Sequence, residues 1–324
     1  MGKLIDGVWQ DRNDVGQGKD GAFVRADSSF RDWIDGDGDH PPEAGRYHLY
    51  VGLACPWAHR ALIVRALKGL EDAIDVSVVH PDMLKDGWTF DTDFSGATGD
   101  RLMGLPFLRD VYVRADPHAT TRATVPILWD RMRDTIVSNE SAEIIRMFGT
   151  AFDDLTGNRL DLYPPDMRAE IDRVNDRVYH AVNNGVYKSG FATSQSAYDD
   201  AVTALFDALD WLEGRLGERR YVAGDCITEA DWRLFTTLVR FDLVYHGHFK
   251  CNRRKLIEYP RLWAYARELY GVPGVAGTCD FGHISRHYHY SHESINPYRI
   301  VPIGPEPDWT EPHGRGDSVF AYRG

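Results

Sequence analysis

Cys55 offers the first chemistry in this chain, because it stands where an apolar strand gives way to a helix, in Tyr50-Val-Gly-Leu-Ala-Cys55-Pro56-Trp57-Ala58-His59-Arg60. Pro56 suits the first helical position, whose N–H has no partner within the helix anyway. Cys55 therefore falls at the N-cap, where exposed backbone N–H groups and the positive end of the helix dipole favour a thiolate over a thiol. A sulfur so placed is a nucleophile at neutral pH. The plainer alternative is a half-buried structural cysteine that precedes a helix. Ala58 narrows the chemistry further. A dithiol oxidoreductase has a second cysteine three residues after the nucleophile to resolve a mixed disulfide; with Ala58 there, an external thiol must do so. Cys226, Cys251 and Cys279 lie far apart and form no C-x-x-C pair, which argues against a disulfide scaffold or a zinc ribbon.

Two other groupings invite chemistry. His283, His287, His289 and His292 gather near the C-terminus and raise a metal site, but no carboxylates or cysteines stand at matching spacing. The segment reads as a packed aromatic tail, without metal. Gly314-Arg315-Gly316-Asp317 contains a tripeptide that adhesion receptors read, and in a chain expected in the cytoplasm it reads as a chance match. There is no P-loop or dinucleotide fingerprint.

The elements that must hold Cys55 follow from periodicity. Tyr47, Leu49 and Val51 alternate with His48 and Tyr50 as in a half-buried strand. After the Cys55 helix, which runs to about residue 70, Ile74 to His80 reads as a second strand, giving a right-handed parallel βαβ unit. A stretch of about 40 residues to Arg122 is too long for an ordinary connection, so it is functional or locally folded. It holds Trp88 and an expected helix around Leu105 to Ala115. Thr124 to Trp129 and Thr135 to Val137 read as two strands, with Pro126 demoting the first to an edge unless its peptide bond is cis. Ser138 or Asn139 is expected to cap a helix running from Glu140 to about Phe148. The order β-α-β then β-β-α, with a cysteine after the first strand and a proline before the third, is that of the thioredoxin fold.

Beyond about residue 160 the pattern turns helical. Pro164-Pro165 opens a helix expected to stop at Asn183-Asn184-Gly185. Val202, Leu205, Phe206, Leu209, Leu212 and Leu216 mark one apolar face. Thr228 and Asp231 resemble a capping box, and Pro260 opens a helix that ends near Gly271. The expected fold class is α/β plus all-α, in four stretches: an extension over 1–44, a thioredoxin-like domain over 45–155, an all-helical domain over 156–278, and a tail over 279–324 without helical period.

Composition agrees with this. The chain has 324 residues, 43% of them hydrophobic, enough for two packed domains. A net charge of −12 offers no broad basic surface, which argues against nucleic acid or acidic lipid and leaves a small-molecule partner. No run nears the ~18 apolar residues of a membrane span, and the start Met1-Gly-Lys-Leu-Ile-Asp-Gly is too polar for a secretory signal, so the cytoplasm is the expected location.

An N-cap cysteine, Val125-Pro126 and Glu140-Ser141 ahead of a helical domain resemble the glutathione transferases. Cys55-Pro56-Trp57-Ala58-His59-Arg60, Asn184-Gly185-Val186-Tyr187-Lys188-Ser189-Gly190-Phe191-Ala192 and Ser291-His292-Glu293-Ser294-Ile295-Asn296-Pro297 are similar to signatures of the glutathionyl-hydroquinone reductases, or xi-class glutathione transferases. The resemblance spans nearly the whole chain. It implies that Cys55 is the nucleophile and Tyr187 the proton donor or acceptor, with Tyr245 and Tyr288 as phenols that help to ionise the thiol. It also implies that Trp88, the run Arg122, Ala123, Thr124, Val125, and the pair Glu140 and Ser141 meet glutathione. In that scheme Val125 pairs by its backbone with the cysteinyl part, Arg122 meets the glycyl carboxylate, and Glu140 and Ser141 hold the γ-glutamyl end. Thr121 stands where the family often has glycine and His289 where it often has tyrosine.

The activity so implied is glutathione-dependent reduction of glutathionyl-hydroquinones to hydroquinones through a Cys55–glutathione mixed disulfide, with glutathione as co-substrate, no metal, and a homodimeric assembly. The alternatives are an omega-like thiol transferase or dehydroascorbate reductase, and a non-catalytic binding protein of the same fold.

Overall fold

Tyr47–Val51 is buried at every position, so the strand is covered on both faces rather than half-buried. It is the centre of the computed structural model, which describes residues 2–11, 16, 18, 20–36 and 38–323; the other parts of the expected extension and the last residue of the expected tail lie outside the described residues. In chain order the elements begin β1 (Lys3–Ile5), β2 (Val8–Gln10), β3 (Tyr47–Val51), α1 (Pro56–Leu67), β4 (Ile74–Val78), α2 (Leu108–Ala115), β5 (Ile127–Asp130), β6 (Thr135–Ser138), α3 (Ser141–Thr150) and α4 (Asp153–Thr156). They continue β7 (Leu160–Asp161), α5 (Arg168–Val178), α6 (Gly185–Gly190), α7 (Gln195–Arg215), α8 (Glu229–Arg240), α9 (Pro260–Tyr270), α10 (Phe281–Ser291) and β8 (Ala321–Tyr322).

Two compact units emerge. The first comprises Met1–Val15, Ala26–Asn158 and Thr278–His292; the second comprises Gly16–Arg25, Arg159–Gly277 and Glu293–Gly324. Residues of the expected extension over 1–44 and of the expected tail over 279–324 are each shared between these units. The reason is where their backbone bonds go. Leu4 exchanges bonds with Thr121 at 2.8 and 3.2 Å, and Asp32 donates to Val137 at 2.8 Å, in the first unit. In the second, the Gly21 carbonyl accepts from Thr193 at 3.0 Å, and β8 pairs antiparallel with β7.

The first unit holds a four-stranded sheet in the order β4-β3-β5-β6, with β3 and β4 parallel and the other pairs antiparallel. This is the thioredoxin arrangement. Residue Arg31 bridges antiparallel to Ser138, so the extension covers the β6 edge that would otherwise stay open.

The second unit is helical, and one signal in it misleads. Asn183-Asn184-Gly185 does not end a helix: the chain widens into a π-helical turn, Tyr179–Asn183, with the Asn184 amide bonded to the Tyr179 carbonyl at 2.9 Å, then resumes as α6. Asn183 is drawn inward instead, its side chain donating to the Arg233 carbonyl at 2.9 Å and the Thr237 hydroxyl at 2.8 Å. The Thr228–Asp231 capping box is present ahead of α8, and α9 ends at Gly271. The tail also departs from expectation, since α10 is a helix capped by Asp280, whose side chain accepts from the His283 amide at 2.8 Å. Of its buried positions, His283, Ile284, His287, Tyr288 and Ser291 have helical spacing and His289 stands beside them, but mostly polar rings carry the face in place of aliphatic side chains.

Candidate active site

Cys55 is the N-cap of α1, in extended conformation with Pro56 directly after it. Its amide donates to the Gly52 carbonyl at 2.9 Å, making the tight turn between β3 and α1. The sulfur is half-buried and donates toward the Val125 carbonyl at 3.5 Å. A thiol can make that contact; a thiolate, having no proton, cannot. The Val125–Pro126 bond is cis. No described residue accepts the Val125 N–H, so beside the sulfur this backbone offers a donor as well as an acceptor. Gly52 closes the arrangement. A Cβ there would stand 3.2 Å from Val79, 3.4 Å from Val125 and 3.5 Å from the Trp88 ring, so all three side chains converge on one backbone position.

Arg122, Ala123 and Thr124 form an irregular run ahead of β5, with Thr124 held by a residue that the sequence did not mark. Tyr112 on α2 is fully buried; its hydroxyl donates to the Thr124 carbonyl at 2.9 Å and accepts from Asn139 Nδ2 at 3.0 Å. Burial pushes the Tyr112 phenol above its ordinary range, which keeps it a donor. It ties the 122–125 run to the turn before α3.

The cap of α3 is Glu140 itself, not Ser138 or Asn139, because its own carboxylate reaches the helix start and accepts from the Ala142 amide at 2.9 Å. Ser138 instead accepts from the Glu140 amide at 3.1 Å, and Asn139 from the Phe30 amide at 3.1 Å. The second Glu140 oxygen accepts from the Ser28 hydroxyl at 3.0 Å, and the Ser141 hydroxyl accepts from the buried Arg60 at 3.4 Å. Arg60 was visible in the run after Cys55, five residues on. Nothing in the sequence singles out Ser28.

Trp88 stacks on His287 of α10 at 4.6 Å and 20°. Arg286 grips both oxygens of Asp82 at 2.7 and 2.8 Å, and His287 Nδ1 donates to the Pro81 carbonyl at 2.8 Å. His283 Nε2 donates to the Ser95 carbonyl at 2.7 Å and His289 Nδ1 to the Ser285 carbonyl at 2.9 Å. Burial holds the His283 and His289 pKa values below the ordinary imidazole range. His283 and His287 fasten α10 to neighbouring backbone, whereas the His289 bond stays within the helix. Among the described residues, no three or more His, Cys, Asp or Glu side chains are grouped to hold a metal ion. Tyr288 lies on the same helix, 1% exposed, its ring 5.4 Å from His287 and 5.5 Å from His292.

The other two phenols belong to the helical unit. Tyr187 on α6 and Tyr245, at the end of a π-helical turn over Phe241–Tyr245, have ring centres 6.1 Å apart. Phe249 stands against both, at 5.4 and 5.6 Å. Each tyrosine is thus on or just after a π-helical turn, a departure from regular helix often found at functional sites.

Residues 54–151 match the family described as glutathione S-transferase, N-terminal domain, and residues 195–268 match glutathione S-transferase, C-terminal domain. The chain is 55% identical over 323 residues to the glutathionyl-hydroquinone reductase YqjG of Escherichia coli, covering 97% of this chain and 98% of that protein. Against the glutathione-bound structure of YqjG, the TM-score is 0.90 at 53% identity, covering 97% of this chain and 99% of that one. The glutathionyl-hydroquinone reductase PcpF of Sphingobium chlorophenolicum is 52% identical over 305 residues, covering 94% and 96%. A xi-class glutathione transferase structure from Natrialba magadii superposes with a TM-score of 0.92 at 49% identity, covering 98% of each chain.

Proposed function

The chain belongs to the glutathione transferases, in the xi class that holds the glutathionyl-hydroquinone reductases, and from that membership we propose how its own residues carry out glutathione-dependent reduction of a glutathionyl-hydroquinone. The observation that carries the reading is the helix-capping sulfur of Cys55 beside the Val125 carbonyl. Loss of the thiol proton ends its hydrogen bond to that carbonyl, which then can accept from the peptide of glutathione, so nucleophile and binding edge become ready together.

The Cys55 thiolate attacks the glutathione sulfur of the substrate. An S–S bond forms, the sulfur–ring bond breaks, and the ring carbon takes a proton from Tyr187, releasing hydroquinone. A second glutathione, as thiolate, then attacks the mixed disulfide, giving oxidised glutathione and the Cys55 thiolate. Tyr245 and Tyr288 stabilise that thiolate by donating to it. Trp88, Arg122, Ala123, Thr124, Val125, Glu140 and Ser141 form the glutathione-binding surface, with Ser28 and Arg60 aligning the γ-glutamyl end. These steps use no metal or nucleotide. An omega-like transferase would share the monothiol chemistry but has no need of three phenols.

Purified protein supplied with a glutathionyl-hydroquinone and glutathione should release hydroquinone and oxidised glutathione faster than it reduces hydroxyethyl disulfide. The Cys55→Ala protein should be inactive, and normal turnover by it would sink the mechanism. Mass spectrometry after one turnover should find the glutathione adduct on Cys55. Burial pushes Cys251 up to about 12 and raises Cys226, so neither competes; an adduct on either, or on Cys279, identifies a different nucleophile.

The same membership supports a homodimer working in the cytoplasm. Among the described residues no helix is long and apolar enough to cross a membrane. Light scattering at micromolar concentration should return twice the chain mass, and a monomer mass refutes the assembly.

A further inference from the structure

Arg25 lies over the face of Tyr187, and we propose that it is a positioning residue that orients this phenol and eases loss of its proton. The inference rests on Tyr187 being the proton donor in the reaction proposed above.

The geometry is built by the N-terminal segment that joins the helical unit. The Gly21 carbonyl accepts from the Thr193 amide at 3.0 Å and the Asp20 carbonyl from the Ser194 hydroxyl at 2.9 Å, which pins the segment to the start of α7. Gly21 has φ +78°, and a Cβ there would meet the Thr193 hydroxyl at 2.8 Å, so the close approach needs glycine. From this anchor the chain brings Phe23 and Arg25 to α6. Arg25 Nε donates to Asn184 Oδ1 at 2.7 Å, and its guanidinium carbon sits 4.9 Å from the Tyr187 ring centre. Asn184 precedes Tyr187 by three residues, so the two share a helix face. Phe23 completes the layer, 5.4 Å from the guanidinium and 6.2 Å from the Tyr187 ring.

Around Tyr187 the structure otherwise places Phe191, Tyr245 and Phe249, all aromatic. Tyr245 is titratable, and His248 stacks on Phe249 at 5.3 Å; Lys188 of α6 donates to the His180 carbonyl at 3.4 Å. Arg25 thus brings a permanent positive charge onto the face of an aromatic cluster. A cation over an aromatic face is attracted to the ring, and more strongly once that ring is a phenolate. The phenol therefore yields its proton more readily, and because guanidinium never deprotonates, the bias holds across the working pH range.

Steady-state kinetics with a glutathionyl-hydroquinone would compare Arg25→Met, Arg25→Lys, Tyr187→Phe and the Arg25→Met/Tyr187→Phe pair, each first checked for an unchanged thermal midpoint. Arg25→Met should lower kcat on the order of tenfold with little change in KM for glutathione, and move the alkaline limb of the kcat profile to higher pH. Arg25→Lys, which keeps the charge, should recover most of the rate. In the Tyr187→Phe background, Arg25→Met should have no further effect. Equal losses for Met and Lys with an unmoved limb, or a full Arg25→Met effect without Tyr187, overturn the inference and leave the proton-donor reading standing. A fully active Tyr187→Phe enzyme overturns the proton-donor reading, and this inference with it.

Discussion

His48 shows how a single side chain ties the fold to pH. Arg131 can only donate, so its 3.2 Å contact with His48 Nδ1 makes that nitrogen the acceptor, and Nε2 then donates to the Ser77 hydroxyl at 2.8 Å. The ring is held neutral, and burial, helped by Arg131, pulls its pKa down to about 4. An unfolded histidine titrates near 6.5. Between these values the unfolded chain binds a proton that the folded one refuses, so stability falls as pH drops from about 6.5 to about 4, by on the order of 3 kcal/mol in all. His48→Gln should flatten that fall relative to the parent in thermal midpoints taken from pH 7 to 4.5; parallel curves would assign the sensitivity elsewhere. At this scale the sequence was legible wherever the chemistry is local. The capping role of Cys55 follows from its immediate neighbours, whereas Tyr112 and Ser28 act on residues distant in sequence that only folding brings near.

At the scale of elements, α6 has little room to change at Gly190. A Cβ on Gly190 would lie 2.2 Å from the Phe249 ring, which packs against both Tyr187 and Tyr245. Gly190→Ala should therefore cost about 1–3 kcal/mol by overpacking and lower kcat as the two phenols shift. A variant with parental melting and parental kcat would mean that Phe249 can move aside freely. The β-α-β and β-β-α order could be read because aliphatic residues carry its period. The π-helical turn and α10 could not. Asn-Asn-Gly signals a stop unless the first asparagine is called inward, as Asn183 is, and histidine and tyrosine give a helix face little hydropathic contrast.

For the molecule as a whole, the tail contributes a buried anchor. Glu268 is 1% exposed and accepts from Arg220 at 3.0 Å, Tyr221 at 2.6 Å and Arg315 at 2.5 Å. The arginine of Gly314-Arg315-Gly316-Asp317 is thus occupied within the fold. Arg315→Ala should destabilise the helical unit by about 1.5–3 kcal/mol, the worth of one hydrogen bond to a charged group, seen as an earlier urea transition by circular dichroism. An unchanged transition would show that Arg220 and Tyr221 suffice. No periodicity announces such an anchor, nor the sharing of both termini between units, because each depends on partners far away along the chain.

That sharing also governs how the protein is made. The helix carrying His287 and Tyr288 leaves the ribosome only after the whole of Arg159–Gly277, although it completes the unit that ends its main stretch at Asn158. At about 5–20 residues per second, the roughly 130 residues between Asn158 and His292 correspond to roughly 7–27 s of synthesis. For that interval the chain holds Trp88 without the His287 ring it stacks on and Asp82 without the arginine that grips it, so the first unit is complete only once the last turn of α10 has been made.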